Sequence, residues 1–114
     1  MPPQIYVNPS CSKCRTALSL LEERGVQADV VSYLDEPLTV TDLKALMTLL
    51  AIEDPRMMMR TGEPDYAELA LGDLDGDALL EAIADHPILL ERPIFVVGDR
   101  AVIARPPERL LELL

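Results

Sequence analysis

The sequence predicts an α/β protein with the element order βαβ, an all-helical stretch, then ββα. Three observations carry that prediction. Two short runs rich in β-branched residues, 4–7 and 28–33, flank a segment of helical periodicity, which is the pattern of a parallel strand pair joined by a right-handed crossover. Between about residues 38 and 86 every periodic segment repeats at helical spacing. Near the end, the four apolar residues Ile94–Val97 precede Gly98-Asp99 and a further apolar run, which reads as a buried strand turning into an antiparallel hairpin.

Taken in order, 4–7 is the first strand and 11–24 the first helix, closed by Gly25 in the C′ position. Cys14, Ala17, Leu18 and Leu21 fall at i, i+3, i+4 and i+7, the stripe that this helix would bury. The second strand is 28–33. Thr39 to Asp42 fits a capping box, and Leu43, Leu46, Met47 and Leu50 follow at helical spacing. Further helical segments are expected at 54–59, 66–71 and 77–84. After the strand Ile94–Val97 come a partner strand at 101–104 and a closing helix at 108–114, with Pro106-Pro107 at its entry. Apart from the helical stretch this is the thioredoxin-like plan. The expectation is one domain over 1–114 with a helical insert at about 38–86.

A chain of 114 residues is long enough to build a hydrophobic core without disulfide staples. Ten basic residues against twenty acidic ones give a net charge of −10, which argues against direct nucleic-acid binding or an anionic lipid surface as partner. The sequence has no basic n-region followed by an apolar stretch, and no apolar run near the roughly 20 residues that span a bilayer. The expected location is a reducing cytoplasm, where a CxxC is catalytic more often than structural. Eight of the ten basic residues are Arg, the side chain whose planar fork suits oxyanions and carboxylates.

Both cysteines lie in Cys11-Ser12-Lys13-Cys14, where the first strand turns into the first helix. Only the thiolate is a competent sulfur nucleophile, and a helix N-terminus beside cations lowers a thiol's pKa. Cys11 is therefore the candidate reactive atom. Cys14, on the same helix face, either resolves what Cys11 forms or packs in the core as part of the apolar stripe. A zinc site would need two further ligands, and the chain offers no other cysteine and one histidine, His86. No metal is expected. Met57, Met58 and Met59 are adjacent, cannot share one helix face, and point to core packing with part of the run exposed.

The chain resembles the arsenate reductase family related to glutaredoxin. The resemblance rests on residues 6–15 (YVNPSCSKCR), Tyr33-Leu34, Met59-Arg60, 86–89 (HPIL), 91–94 (ERPI) and 104–107 (ARPP). It implies that Cys11 attacks arsenate and that Arg60, Arg92 and Arg105 hold the oxyanion. Arg15, a cation beside the helix terminus, is a further candidate substrate ligand, and Asn8 and Pro93 are candidate structural residues of the site. Thioredoxin-like proteins place a cis-proline against the reactive cysteine, so Arg92-Pro93 is expected to be cis. Arg92 and Arg105 flank the hairpin, so their backbones start near one sheet end, where a helix N-terminus is already an anion site. Two departures bear on mechanism. The better-known enzymes of the family carry His where this chain has Val7, and usually Ser where it has Cys14, drawing their reducing thiol from glutathione. A second cysteine is similar instead to the Spx-type regulators, whose CxxC senses oxidation and which act on RNA polymerase. The leading expectation is reduction of arsenate to arsenite, with no bound cofactor and with glutathione, glutaredoxin or thioredoxin as reductant. A redox-responsive regulator that binds RNA polymerase, or a thiol reductase of another substrate, are the alternatives.

Overall fold

In a computed structural model that describes residues 2–114, contacts divide the chain into two compact units. One runs to Glu36 and resumes at Arg92, and the other is Pro37–Glu91.

The first unit holds β1 (Gln4–Val7), α1 (Ser12–Glu23), β2 (Asp29–Ser32), β3 (Ile94–Val97), β4 (Arg100–Ile103) and a 3-10 helix, Pro107–Leu113. The sheet order is β2-β1-β3-β4. β1 and β2 are parallel, with Val7 opposite Ser32, while β3 runs antiparallel to both β1 and β4, with Ile94 opposite Tyr6 and Ile103. This register gathers the C-terminal ends of β1, β2 and β4 and the N-terminal end of β3 at one end of the sheet. Ile5 and Val7 alternate inward with Gln4 and Tyr6 less buried, as one covered sheet face requires. They pack with Cys14, Ala17, Leu21, Phe95, Val102, Ala104 and Leu110 in one core, each large apolar side chain contributing about 1.5–3 kcal/mol on burial.

The strands 4–7 and 94–97 lie where the sequence puts them. The fourth begins one residue earlier than expected, because the two-residue turn at Gly98-Asp99 sets Arg100 opposite Val97 and Gly98 supplies the positive φ of 60°. The second strand is shorter than 28–33. Cys11 is the N-cap of α1 rather than its first residue, and Arg24 caps the other end before Gly25, whose φ is 67°. The closing segment is a 3-10 helix, entered through Pro106 and Pro107, rather than an α-helix.

The second unit carries α2 (Val40–Leu50), α3 (Pro64–Glu68), α4 (Gly76–Asp85) and 3-10 turns at Pro55–Met58, Leu71–Asp73 and Pro87–Leu89. Thr39 and Asp42 form the expected capping box in full. α2 packs on α4, and Leu43, Leu46, Leu79, Leu80 and Ile83 are buried. The expected helix at 54–59 is a 3-10 turn, since Asp54 caps the Arg56 amide and Met59 leaves to pair with Leu90 in an isolated antiparallel bridge. The expected helix at 66–71 starts two residues early on Pro64 and stops at Glu68. Ala70 then takes a left-handed conformation into the turn Leu71–Asp73. Arg56 ties this segment down, donating to the Tyr66 hydroxyl and the Leu71 carbonyl at 2.9 Å each and also to the Leu74 carbonyl. Met58 and Met59 are buried, whereas Met57 is exposed. Among the described residues no helix is long and apolar enough to cross a membrane.

Candidate active site

The sheet end where three strands finish and β3 begins carries Asn8, Cys11, Tyr33, Arg92, Pro93 and Arg105. Asn8, buried just past β1, braces the loop in three ways: its side-chain oxygen accepts from the Ser10 amide at 2.9 Å, its carbonyl accepts from the Cys11 amide at 3.0 Å, and its own amide donates to the Cys14 sulfur at 3.4 Å. An Asx turn of this kind fixes where α1 starts. Cys11 is thereby held extended at the N-cap, 9 % exposed, with its carbonyl accepting from the Arg15 amide at 3.1 Å.

Burial acts to raise the Cys11 thiol, yet the Cys14 amide, the Arg92 guanidinium, the Cys14 thiol and the Lys13 amide together outweigh it and lower the pKa to about 7. Arg105 adds a donor, with Nη2 3.6 Å from the sulfur. These are the conditions that activate a cysteine at a helix N-terminus. Val7, buried and apolar, takes no part in the ionisation. Cys14 moves the opposite way. Burial first, and then the neighbouring Cys11 sulfur, raise its pKa to about 11, and it lies fully inside the core. Both thiols are free.

Arg92 and Arg105 are brought together as their positions around the hairpin imply, and Arg105 Nε donates to the Arg92 carbonyl at 2.6 Å. Burial disfavours the Arg92 charge, but Cys11 and Tyr33 favour it and the net effect raises its pKa. Its Nε and Nη1 are buried without a hydrogen-bond partner, the condition of donors that an oxyanion would satisfy. The Arg92-Pro93 bond is cis, as expected, and so is Arg105-Pro106, which the sequence reading did not foresee. Pro93 is buried, and its carbonyl accepts from the Ala104 amide at 2.8 Å.

Two further expected anion ligands are Arg15 and Arg60. Arg15 is exposed on α1, and its link to Cys11 runs through the backbone. Arg60 belongs to the second unit, where its amide donates to the Leu89 carbonyl at 2.7 Å and its Nε pairs with Glu63 at 2.9 Å, while Nη1 is buried without a partner. His86 is half-exposed, with Nδ1 3.8 Å from Asp65. Sequence reasoning used Tyr33 only as part of the Tyr33-Leu34 match and gave it no role in the site; it is fully buried one position beyond β2 and in electrostatic contact with Arg92. Its signal was a phenol at a strand terminus, a ring that packs while its hydroxyl needs a partner. Among the described residues no group of three or more His, Cys, Asp or Glu could hold a metal ion.

The model of the ArsC family matches residues 6–113. The chain is 51 % identical over 109 residues to an arsenate reductase of Neisseria meningitidis, covering 94 % of this chain and 93 % of that one. It is 46 % identical over 112 residues to an arsenate reductase of Haemophilus influenzae, covering 96 % and 97 %. The solved structure of an arsenate reductase from Vibrio cholerae superposes with a TM-score of 0.97 at 47 % identity, covering 100 % of this chain and 98 % of that chain.

Proposed function

This chain belongs to the ArsC family, and from that premise we propose that it is a thiol-dependent reductase converting arsenate to arsenite. The observation that supports this reading most strongly is the Cys11 thiol, lowered to about 7 at the mouth of α1 and faced by Arg92 and Arg105. At neutral pH a large share of that thiol is ionised, beside two guanidinium groups suited to a multivalent oxyanion.

In this mechanism the Cys11 thiolate attacks arsenic and an arsenate oxygen departs as water after protonation, leaving a sulfur–arsenic(V) bond. A second thiol then attacks the Cys11 sulfur. A sulfur–sulfur bond forms, the sulfur–arsenic bond breaks, and its electron pair stays on arsenic, which leaves as arsenite. Two thiols have lost two electrons and arsenic has gained them. Arg92 and Arg105 hold the oxyanion and offset the charge on the departing oxygen. Arg60, with its buried unpartnered Nη1, joins them on the strength of the family resemblance, and Arg15 by its place near the start of α1. Asn8 and Pro93 hold the loop and the strand entry in place.

Cys14 is the proposed second thiol. Burial keeps it protonated in the resting protein, but part of its upward shift comes from the neighbouring Cys11 sulfur. The resulting disulfide returns to two thiols through thioredoxin, glutaredoxin or glutathione, a cycle suited to a reducing cytoplasm. The proposal treats residues 1–114 as one functional domain with a helical insert at about 38–86, acting without nucleic acid or membrane.

The test is arsenite formation from arsenate with each thiol donor supplied separately. Wild type is expected to turn over with at least one donor and Cys11→Ser with none. Oxidation of Cys11 without any arsenite would favour a redox-sensing regulator that binds RNA polymerase, or a reductase of another substrate.

A further inference from the structure

We propose that Tyr33 is a positioning residue, holding the Arg92 guanidinium in the attitude from which it faces the Cys11 sulfur and an incoming oxyanion. The register supplies the geometry. Val7 is opposite Ser32, so Tyr33 stands one residue beyond β2 just as Asn8 stands one beyond β1. Tyr6 is opposite Ile94, which sets Arg92, two residues before it, at the same sheet end. Tyr33 is fully buried, and a buried phenol hydroxyl takes a partner rather than go without. A guanidinium has only donors to offer, so the phenol oxygen accepts from Arg92.

The electrostatic contact between the two supports the pairing, since Tyr33 favours the Arg92 charge that burial opposes. It also explains a contrast between the two site arginines. Arg105 is anchored through Nε to the Arg92 carbonyl, whereas Nε and Nη1 of Arg92 have no partner. A handle on Arg92 that leaves those two donors free lets the side chain lose its rotamer freedom before the anion arrives, which is what preorganisation requires. The inference deepens the reading of this site as a thiolate and oxyanion site, and rests on it. The groups that face the Cys11 sulfur are Arg92, Arg105, the Cys14 thiol and the amides of Lys13 and Cys14. Tyr33 acts on it only through the first of these.

The test is Tyr33→Phe, which keeps the ring and removes the hydroxyl, in wild-type and Arg92→Ala backgrounds. In the wild-type background the pH midpoint of Cys11 alkylation is expected to rise from about 7 by roughly half a unit. KM for arsenate should rise about 3- to 10-fold with a smaller change in kcat, the loss of one hydrogen-bonded handle. With Arg92→Ala already present, Tyr33→Phe should change neither quantity further. An unmoved midpoint and KM, or equal losses in the two backgrounds, would overturn the proposal. Should Tyr33→Phe fail to fold, NMR of the wild-type Arg92 side chain decides: slowed guanidinium rotation supports a handle and free averaging refutes it. Absence of arsenate turnover in wild type would sink the reductase reading, while the alkylation arm would still judge Tyr33.

Discussion

Two sulfurs three residues apart are driven in opposite directions, Cys11 down to about 7 and Cys14 up to about 11. Their side chains differ in nothing; their surroundings do. Cys11 sits at the N-cap among amides and guanidinium groups, and Cys14 one turn further on sits in the core. Alkylation followed against pH should therefore report Cys11 alone, with a midpoint near 7 that Arg92→Ala moves upward. Removing either charge-assisted donor, in Arg92→Ala or Arg105→Ala, is expected to weaken arsenate or sulfate binding about 10- to 100-fold, equivalent to roughly 1.5–3 kcal/mol. Isothermal titration would read this directly, and unchanged affinity in both variants would remove these arginines from the anion site. For Cys14 the readout is mass spectrometry after arsenate turnover. A Cys11–Cys14 disulfide is expected in wild type, and in Cys14→Ser a Cys11 capped by glutathione. Glutathione-capped Cys11 beside a free Cys14 in wild type would make Cys14 a core residue and nothing more.

At the scale of elements, legibility follows how local the determinants are. The bounds of β1 and β3, the Gly25 stop and the Gly98-Asp99 turn were readable because apolar run length and positive-φ glycines declare themselves within a few residues. So was the capping box of α2, where Thr39 accepts from the Asp42 amide at 3.1 Å and Asp42 returns the bond to Thr39 at 3.0 Å. Thr39→Ala should cost about 1 kcal/mol, seen as a lower urea midpoint with an unchanged slope. An unaltered midpoint would mean that packing of α2 on α4 alone sets this helix. The 64–73 region was not readable. Its course depends on Arg56 reaching carbonyls at positions 71 and 74, a contact between residues too far apart for any periodicity to express. The closing segment was misread for a related reason, since apolar spacing alone does not separate a short 3-10 helix from an α-helix. The placement of Cys11 at the mouth of α1 and of Arg92 and Arg105 at one sheet end was legible from motif and topology. The role of Tyr33 was not, because it emerges only when the sheet register sets the end of β2 and the start of β3 at the same end of the sheet, on either side of β1.

At the scale of the whole molecule, the split thiols write a pH signature into stability. In the unfolded chain both ionise near the ordinary value of about 8.5. Cys11 has a lower pKa when folded, about 7, so between about 7 and 8.5 the unfolded chain binds the extra proton and stability rises with pH. Its contribution is complete above the unfolded value and is lost as pH falls through 7. Cys14 has a higher pKa when folded, about 11, so between about 8.5 and 11 the folded chain binds the extra proton and stability falls as pH rises. The two contributions together favour a maximum near pH 8.5. Urea unfolding under reducing conditions at pH 6, 7, 8.5 and 10 can isolate them by difference from variants in which other titrating groups are shared. Wild type minus Cys11→Ser should gain stability from pH 6 to 8.5, and wild type minus Cys14→Ser should lose it from 8.5 to 10. A flat first difference would mean that the Cys11 thiolate is not held by the fold, which would remove the physical basis for its nucleophilic role. A flat second difference would mean that Cys14 ionises as readily inside the protein as outside, and its assignment to the closed core would fail.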